Sequence, residues 1–288
     1  MTQASPGDFH CHSSHSDGTR TPADLVDLAY ARGVRTLALT DHDTLDGLDE
    51  ARAAAARHPG MRLVPGVEIS CDVPGTEVHL LGLFVDDRRP AFRAELDRMR
   101  SGRIRRGERI VEALTAMGAP VSWARVREIA GEASIGRPHI ARALIEAGHV
   151  RDVDEAFARY LGRNSPAYVE RERLLPADAV RLVHEGGGIA VFAHPPFTDG
   201  YEAVAESLAA AGLDGIEAYY RHYDAETVTS LRALADRLGL LPTGGSDFHG
   251  LDREHEHEPG DHPLRAEHID RIMEVAAARG CTVPEAAR

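Results

Sequence analysis

The chain of 288 residues contains no lysine, so all 33 basic residues are arginines. Aromatic residues make up only 5%, and no apolar run is long enough to cross a membrane. Cys11, Cys71 and Cys281 form neither a CxxC pair nor a disulfide framework. Residues 1–8 lack the basic-then-apolar pattern of a secretion signal. These absences predict a cytoplasmic protein in a reducing compartment, with no membrane partner.

The formal net charge of −13 excludes broad electrostatic attraction to duplex DNA, which depends on extended basic surfaces. It does not exclude a small phosphorylated substrate, because bound cations would dominate the local field. The length suits one large domain with a modest insertion, and 43% hydrophobic residues are enough for a substantial core.

Six short segments place histidines or acids at the ends of apolar strand patterns. They are Asp8-Phe9-His10-Cys11-His12 followed by Asp17, Thr40-Asp41-His42-Asp43, Pro65-Gly66-Val67-Glu68, Val78-His79, Ala193-His194-Pro195 and Gly245-Ser246-Asp247-Phe248-His249. Buried polar groups are costly unless they are paired or bind a metal. One such histidine is usually a hydrogen-bonded structural residue, but six segments of this kind together indicate a multi-metal hydrolase.

Strand and helix patterns alternate over residues 1–90 and again over 167–288, whereas residues 91–166 show helical patterns only. The predicted strands are Phe9–His12, Val34–Thr40, Met61–Val67, Val78–Val85, Ile189–Ala193, Gly215–Tyr219 and Leu240–Thr243. Seven strands separated mainly by helices predict an α/β barrel as the catalytic domain, with a helical insertion as a lid. All the polar groups are expected at the carboxyl ends of the strands, where such barrels place their active sites.

Within these segments, spacing indicates local roles. His10 and His12 are two residues apart on a strand, so both face the same side and can chelate one ion. Asp17 can return to the same cavity after a short loop. Glu68 and Asp247 suit bridging positions between two metals.

His42 follows an apolar strand and is flanked by two acids, Asp41 and Asp43. We expect one of these acids to orient the imidazole of His42. Cys11 lies between two inward-facing histidines, so its side chain is predicted to point away from them and to pack.

The chain resembles the PHP (polymerase and histidinol phosphatase) family of metal-dependent phosphoesterases. The resemblance rests on His10-x-His12 with Ser16-Asp17-Gly18, Thr40-Asp41-His42-Asp43, Pro65-Gly66-Val67-Glu68-Ile69-Ser70, His79, Ala193-His194-Pro195 and Gly245-Ser246-Asp247-Phe248-His249. It implies a distorted (β/α)7 TIM-like barrel with a trinuclear metal centre of three divalent ions. By this match the ligands are His10, His12, Asp17, His42, Glu68, His79, His194, Asp247 and His249.

Gly136-Arg137-Pro138-His139 matches a segment in the insertion of one branch of the family. That branch contains nucleoside 3′,5′-bisphosphate phosphatases and 5′→3′ exonucleases of short RNA. The resemblance implies a nucleotide or short 5′-phosphorylated RNA as the substrate. Arg137, near an exposed helix start, can bind the 5′-phosphate with two hydrogen bonds. His139 is the candidate acid for the leaving oxygen.

Two stretches rich in charged residues are predicted to lie mainly on the solvent-exposed surface. Six arginines between Arg98 and Arg109 form a basic stretch, of which several could meet substrate phosphates but most are predicted to face solvent. The alternating run from Glu254 to Glu258 is predicted to be a solvated loop rather than a metal site. It follows Gly250–Arg253, where the sequence departs from the branch's usual ending.

Three alternatives stay open from the sequence. The same barrel could be a phosphatase of a small metabolite such as histidinol phosphate, although the Gly136–His139 segment argues against this. An amidohydrolase usually needs a metal-bridging lysine, which this chain lacks. A non-catalytic metal-binding domain would not need the full ligand set. Mixed imidazole and carboxylate ligands suit Mn²⁺, which we favour, and also Fe²⁺ or Zn²⁺.

Overall fold

The computed structural model describes residues 4–73, 76–131, 133–163, 165–170, 174–221, 223–251 and 257–288. Glu254, His255 and Glu256 of the predicted solvated run lie outside the described residues, and His257 and Glu258 are partly exposed. No helix in the described ranges is long and apolar enough to span a membrane.

Seven strands form one sheet whose spatial order follows the chain order. They are β1 (Gly7–Asp8), β2 (Thr36–Leu39), β3 (Arg62–Val73), β4 (Thr76–Leu83), β5 (Ile189–Phe192), β6 (Gly215–Tyr220) and β7 (Leu241–Gly245). The sheet curls back on itself, because Phe9 N donates to Gly244 O and Cys11 pairs with Phe248. The predicted seven-stranded barrel is therefore confirmed as a nearly closed one.

The described part of the chain also contains ten α-helices. They are α1 (Pro22–Ala31), α2 (Leu48–Ala55), α3 (Pro90–Ala116), α4 (Trp123–Ala130), α5 (Arg137–Glu146), α6 (Val153–Ala156), α7 (Pro176–Glu185), α8 (Tyr201–Ala210), α9 (Ala225–Leu238) and α10 (Ala266–Ala278). The residues at the start of α1 show why the helix begins there. Thr21 caps α1 by accepting a hydrogen bond from Asp24 N, and Pro22 occupies the first helical position.

Strands β3 and β4 depart from the parallel pattern. Only residues 74–75 connect them, which is too short for a parallel crossover, so the two strands pair antiparallel with Ser70 opposite His79. Strand β4 also pairs antiparallel with β5. Glu68 and His79 consequently lie within these strands. The expectation that every polar group sits at a strand's carboxyl end was wrong for these two residues.

The chain divides into two compact units, Met1–Ala94 with Arg173–Arg288, and Glu95–Glu172. The first unit contains the barrel, whose strands carry fully buried apolar residues such as Leu37, Ile69 and Val191. The second unit is helical and has a core of its own, which includes Leu114, Val126 and Leu144.

Candidate metal centre

The barrel unit brings all nine predicted ligands into one cluster. Three overlapping groups each offer ligand atoms within 4.8 Å of one another: His12, Asp17, His42 and His249; His10, His12, Glu68 and Asp247; and His42, Glu68 and His79. His194 belongs to none of these groups, but its Nε2 lies 3.1 Å from Glu68 Oε1. The cluster therefore contains enough imidazole and carboxylate groups for more than one ion.

The segment that carries His10 and His12 is held from both sides. Cys11 N donates to Thr40 Oγ1 at the end of β2, and His12 N donates to Phe248 O beyond β7. The two imidazole rings have centroids 5.2 Å apart. Cys11 itself is fully buried, with Sγ 3.6 Å from the Ser246 hydroxyl, so its side chain packs under the segment that follows β7.

Glu68 occupies the middle of the cluster. Its Oε2 lies 3.1 Å from His12 Nε2 and 3.2 Å from His42 Nδ1. Its Oε1 lies 2.8 Å from His79 Nδ1 and 3.1 Å from His194 Nε2. Burial opposes ionisation of Glu68, but nearby imidazoles, first His42 and His79, hold its pKa well below the usual value. Each oxygen of this carboxylate faces different histidines, which is the arrangement that a bridging ligand requires.

Asp247 is the second carboxylate placed between histidines. Its Oδ1 lies 3.1 Å from His12 Nε2 and 3.3 Å from His10 Nε2. Its Oδ2 accepts a hydrogen bond of 2.7 Å from the Tyr220 hydroxyl. Burial opposes ionisation, but His10 and other cationic neighbours hold the pKa of Asp247 well below its usual range. One oxygen is thus fixed by Tyr220, while the other faces the two imidazoles.

Asp17 forms the outer part of the cluster with His249. Asp17 Oδ1 lies 3.3 Å from His249 Nε2, and Oδ2 lies 3.8 Å from His42 Nε2. The rings of His12 and His249 stack with centroids 4.2 Å apart. Against the effect of burial, His249 and His42 hold the pKa of Asp17 well below its usual value. This carboxylate therefore stays ionised among imidazoles, as a metal ligand must.

Several buried ring nitrogens in the cluster make no hydrogen bond. They are His10 Nε2, His12 Nε2, both ring nitrogens of His79, and His194 Nδ1. Buried polar atoms normally have a hydrogen-bond partner, so atoms like these need another explanation. The carboxylates also favour positive charge, since Asp247 and Glu68 overcome the effect of burial and raise the pKa of His12 to about 10. These donor atoms and this field fit divalent cations of the Mn²⁺, Fe²⁺ or Zn²⁺ type.

Backbone strain is concentrated at the same place. Three residues of this site have a positive φ: Asp43 at 53°, His194 at 31° and Asp247 at 49°. Only four non-glycine residues in the described part of the chain have a positive φ. Such conformations cost about 1–3 kcal/mol each and persist where surrounding bonds enforce them. Here His194 N donates to Glu217, and Asp43 N donates to Glu68 O. These strained backbone conformations orient the side chains of the three residues at the cluster.

Glu217 on β6 was not identified from the sequence. It is fully buried, with Oε1 3.1 Å from His10 Nδ1 and Oε2 accepting a 2.7 Å hydrogen bond from His194 N. A carboxylate at this distance from Nδ1 favours the His10 tautomer with its hydrogen on Nδ1, which leaves Nε2 for a metal. The sequence feature that could have identified Glu217 is its position as the single acid inside the apolar segment Gly215–Tyr220.

Asp41 binds the loop that follows His12. Its carboxylate accepts hydrogen bonds from Ser13 N, Ser13 Oγ and Ser16 Oγ at 2.8, 2.6 and 2.6 Å. These three donors fix the loop that leads to Asp17. The expectation that one of Asp41 and Asp43 orients His42 stays a prediction. Asp43 accepts from Ser70 N and so ties the end of the β2 segment to β3.

Arg137 and His139 begin α5 in the helical unit. His139 is buried, and its Nδ1 accepts a 3.0 Å hydrogen bond from Gly136 N, so its ring caps the start of the helix. This bond places the ring hydrogen on Nε2. The guanidinium of Arg137 lies 5.3 Å from the centre of the Phe157 ring.

An arginine cluster surrounds Tyr168 in the same unit. The guanidinium groups of Arg106, Arg137 and Arg163 lie 5.3, 5.9 and 5.7 Å from the centre of the Tyr168 ring. Arg106 is buried, as is Arg103 one helical turn before it. These two arginines are exceptions to the predicted solvated basic stretch, whereas Arg98 and Arg105 are exposed. Arg106 Nε also donates to Val169 O.

Comparison with known proteins identifies the family to which this barrel belongs. The PHP domain profile matches residues 8–162. The chain belongs to the PHP domain family. It is 38% identical over 247 residues to a 3′,5′-nucleoside bisphosphate phosphatase of Chromobacterium violaceum, covering 84% of this chain and 86% of that protein. It is 37% identical over 246 residues to a 5′-3′ exoribonuclease of Haemophilus influenzae, covering 84% and 89% of the two chains.

A solved structure from Chromobacterium violaceum, described as an amidohydrolase with bound sulfate, shares this PHP fold. It superposes with a TM-score of 0.85 at 35% identity, over 96% of this chain and 97% of the other. The predicted family and barrel are thus confirmed. The predicted enzyme class, a metal-dependent phosphoester hydrolase, is confirmed at the level of the PHP family.

Proposed function

We propose that this PHP protein hydrolyses phosphate esters of nucleotides. Its reactions would be removal of the 3′-phosphate from nucleoside 3′,5′-bisphosphates and stepwise release of 5′-mononucleotides from short 5′-phosphorylated RNA. The observation that carries the proposal is the buried cluster around Glu68, in a chain whose relatives include a bisphosphate phosphatase and an exoribonuclease. Both reactions break a bond between phosphorus and a 3′ oxygen, so one centre serves both.

The nine clustered residues would hold three divalent ions, with Mn²⁺ favoured over Fe²⁺ or Zn²⁺. The three carboxylates contribute a total charge of about −3, from Asp17, Glu68 and Asp247. Three divalent ions would contribute about +6, which leaves a net positive site for phosphate. Bound ions of this type supply Lewis acidity and an activated water for attack on phosphorus. The protein's own contribution is to fix the ligands, through Glu217 beneath His10 and Tyr220 against Asp247.

The helical insertion would act as a lid domain that recognises the 5′-phosphate through Arg137. The support is the arginine cluster around Tyr168, since a guanidinium fork binds phosphate oxygens with two parallel hydrogen bonds. Recognition of a terminal phosphate would favour nucleotides and short single strands over duplexes. It would also disfavour small-metabolite phosphates that carry only one phosphoryl group.

We also propose that His139 donates the proton to the leaving oxygen from Nε2, because Nδ1 is occupied by Gly136 N. The cap itself offers a structural explanation for this histidine. His139→Gln separates the two roles, since a glutamine oxygen can still accept from Gly136 N but cannot transfer the proton. A normal pH–rate profile in this variant would remove the acid role.

The proposed activity is tested by phosphate release from adenosine 3′,5′-bisphosphate, measured together with metal content. We expect turnover by the Mn²⁺-loaded protein, its loss after chelation and its return when Mn²⁺ is restored. Glu68→Gln should lose both bound metal and turnover. Stoichiometric metal without hydrolysis of any phosphoester would instead favour a non-catalytic metal-binding domain.

A further inference from the structure

One aromatic ring next to the metal centre is left open to solvent. Phe197 has 62% of its surface exposed, the largest value among the described large hydrophobic residues, followed by Leu175 at 51%. It lies three residues after His194, in the short 3₁₀ helix Pro195–Phe197. A single exposed apolar side chain is common on proteins, so exposure alone does not define a site.

Phe197 lies against the metal centre itself. The centroid of its ring is 5.5 Å from that of His194 and 5.6 Å from that of Tyr220, with an interplanar angle of 82° to Tyr220. Tyr220 in turn donates to Asp247. The ring is therefore in direct contact with one proposed ligand and one residue away from a second.

The backbone that carries Phe197 is held in place. Phe197 N donates to His194 O, and two prolines precede it. Directly after it, Thr198 Oγ1 donates to Glu77 O, and Asp199 N donates a 3.0 Å hydrogen bond to Thr76 Oγ1. A fixed ring loses little conformational freedom when a ligand covers it, so its exposed surface is preorganised for a flat apolar partner.

We propose that Phe197 is the stacking platform for the nucleobase of the substrate, which makes it a specificity-determining residue. This inference rests on the proposed function and deepens it. In a nucleoside 3′-phosphate only a sugar ring separates the base from the phosphate, so a base whose phosphate lies at the metal centre can reach Phe197 beside His194. Stacking accepts every base because each has a π face, so the substrate class is nucleotides of any base rather than sugar phosphates.

The kinetic test compares two substrates that differ only in the base, 2′-deoxyadenosine 3′,5′-bisphosphate and its abasic analogue 1,2-dideoxyribose 3′,5′-bisphosphate. Adenosine 3′,5′-bisphosphate is measured beside them. Phe197→Ala and Phe197→Leu should raise KM for both adenine nucleotides by about tenfold or more and leave KM for the abasic analogue unchanged. Phe197→Trp should restore the wild-type KM. Unchanged KM for the nucleotides, or equal increases for all substrates, would overturn the platform role.

A second readout does not depend on turnover. In Phe197→Trp, adenosine 5′-monophosphate should quench the new tryptophan emission, whereas ribose 5-phosphate should not. The wild-type protein, with Trp123 as its single tryptophan, gives the background. Absence of base-dependent quenching contradicts the platform even if the enzyme is active. Quenching without hydrolysis of either bisphosphate by the wild-type protein supports the platform and contradicts the proposed reaction instead.

Discussion

Glu217 shows how one residue outside the predicted ligand set controls two residues inside it. Its carboxylate accepts from the His10 ring and from the His194 backbone, and it is fully buried. Glu217→Gln keeps the size of the side chain but removes the charge and one of the two acceptors. We expect metal affinity to fall by about 10–100-fold, because outer carboxylates orient metal-binding imidazoles.

Competition with a chelator would measure this change in affinity. Glu206→Gln is the matched control, because Glu206 is an exposed acid paired with Arg237 and should leave metal binding unchanged. Equal affinity in Glu217→Gln and the wild-type protein would show that His10 needs no such support.

Arg137 carries the proposed recognition of the 5′-phosphate. Arg137→Ala should raise KM about 10–100-fold for adenosine 3′,5′-bisphosphate, since a charge-assisted hydrogen bond contributes about 1.5–3 kcal/mol. The same variant should hydrolyse phenyl phosphate, which has no second phosphate, with nearly unchanged KM. Arg98→Ala, at an exposed arginine paired with Glu95, should affect neither substrate. Equal losses on both substrates in Arg137→Ala would remove the proposed role.

At the level of single residues, the sequence was most informative where histidines and acids recur together. The ligands predicted by resemblance lie in one cluster, although their binding of metal is still a prediction. Glu217 and Phe197 were not identified because neither belongs to a recurring pattern, and their proposed roles depend on contacts with residues that are distant in the sequence. The neighbours of Asp41 in the sequence do not show its partners, because its hydrogen bonds run to Ser13 and Ser16 on another loop.

Among the structural elements, the seam between β1 and β7 is the most constrained. A Cβ on Gly245 would overlap the Cβ of His10 and lie 2.7 Å from its backbone nitrogen. Gly245→Ala should therefore push the His10 segment away from β7 and destabilise the fold by about 1–3 kcal/mol or more. It should also reduce the amount of bound metal.

Thermal unfolding and metal content of Gly245→Ala would test this constraint. Gly148→Ala is the control, because Gly148 has a φ of 74° but open space around it. That substitution has only a conformational cost of about 1 kcal/mol and should leave metal content unchanged. If Gly245→Ala behaves like this control, the seam tolerates a side chain and the close approach is not required.

Periodicity predicted most of the strands, and the predicted starts at Ile189 and Gly215 are the starts of β5 and β6 in the structure. The β3–β4 hairpin was the main departure. Strand β3 continues to Val73, six residues beyond the predicted end at Val67, because its pairing with β4 extends it. An alternation of polar and apolar residues does not show where a partner strand stops, so this length could not be read from β3 alone.

For the whole molecule, the metal centre links stability to pH. Burial lowers the pKa of His12, but the carboxylates of Asp247 and Glu68, each 3.1 Å from Nε2, outweigh it and raise the pKa from about 6.5 to about 10 in the metal-free protein. A group whose pKa is raised on folding stabilises the folded state fully below its unfolded value and loses that effect as the pH rises through the folded value. We therefore expect the metal-free protein to lose stability between about pH 6.5 and pH 10.

Melting temperatures of chelated and Mn²⁺-loaded protein between pH 6 and pH 10 would measure this effect. The loaded protein should keep its stability over this range, because metals replace the protons and bind deprotonated ligands. Metal binding near pH 7 should release protons, which calorimetry in buffers of different ionisation enthalpy detects. A flat melting temperature for the metal-free protein would contradict the proposed coupling between His12 and the carboxylates.

The most direct test of the proposed function is mass spectrometry of the products formed from a 5′-phosphorylated RNA trimer and from adenosine 3′,5′-bisphosphate by the Mn²⁺-loaded protein. We expect 5′-mononucleotides from the trimer, and adenosine 5′-monophosphate with inorganic phosphate from the bisphosphate. Both reactions should stop when the metal is chelated. If both substrates stay intact while the protein holds its metals, the proposed hydrolysis of nucleotide phosphoesters is contradicted.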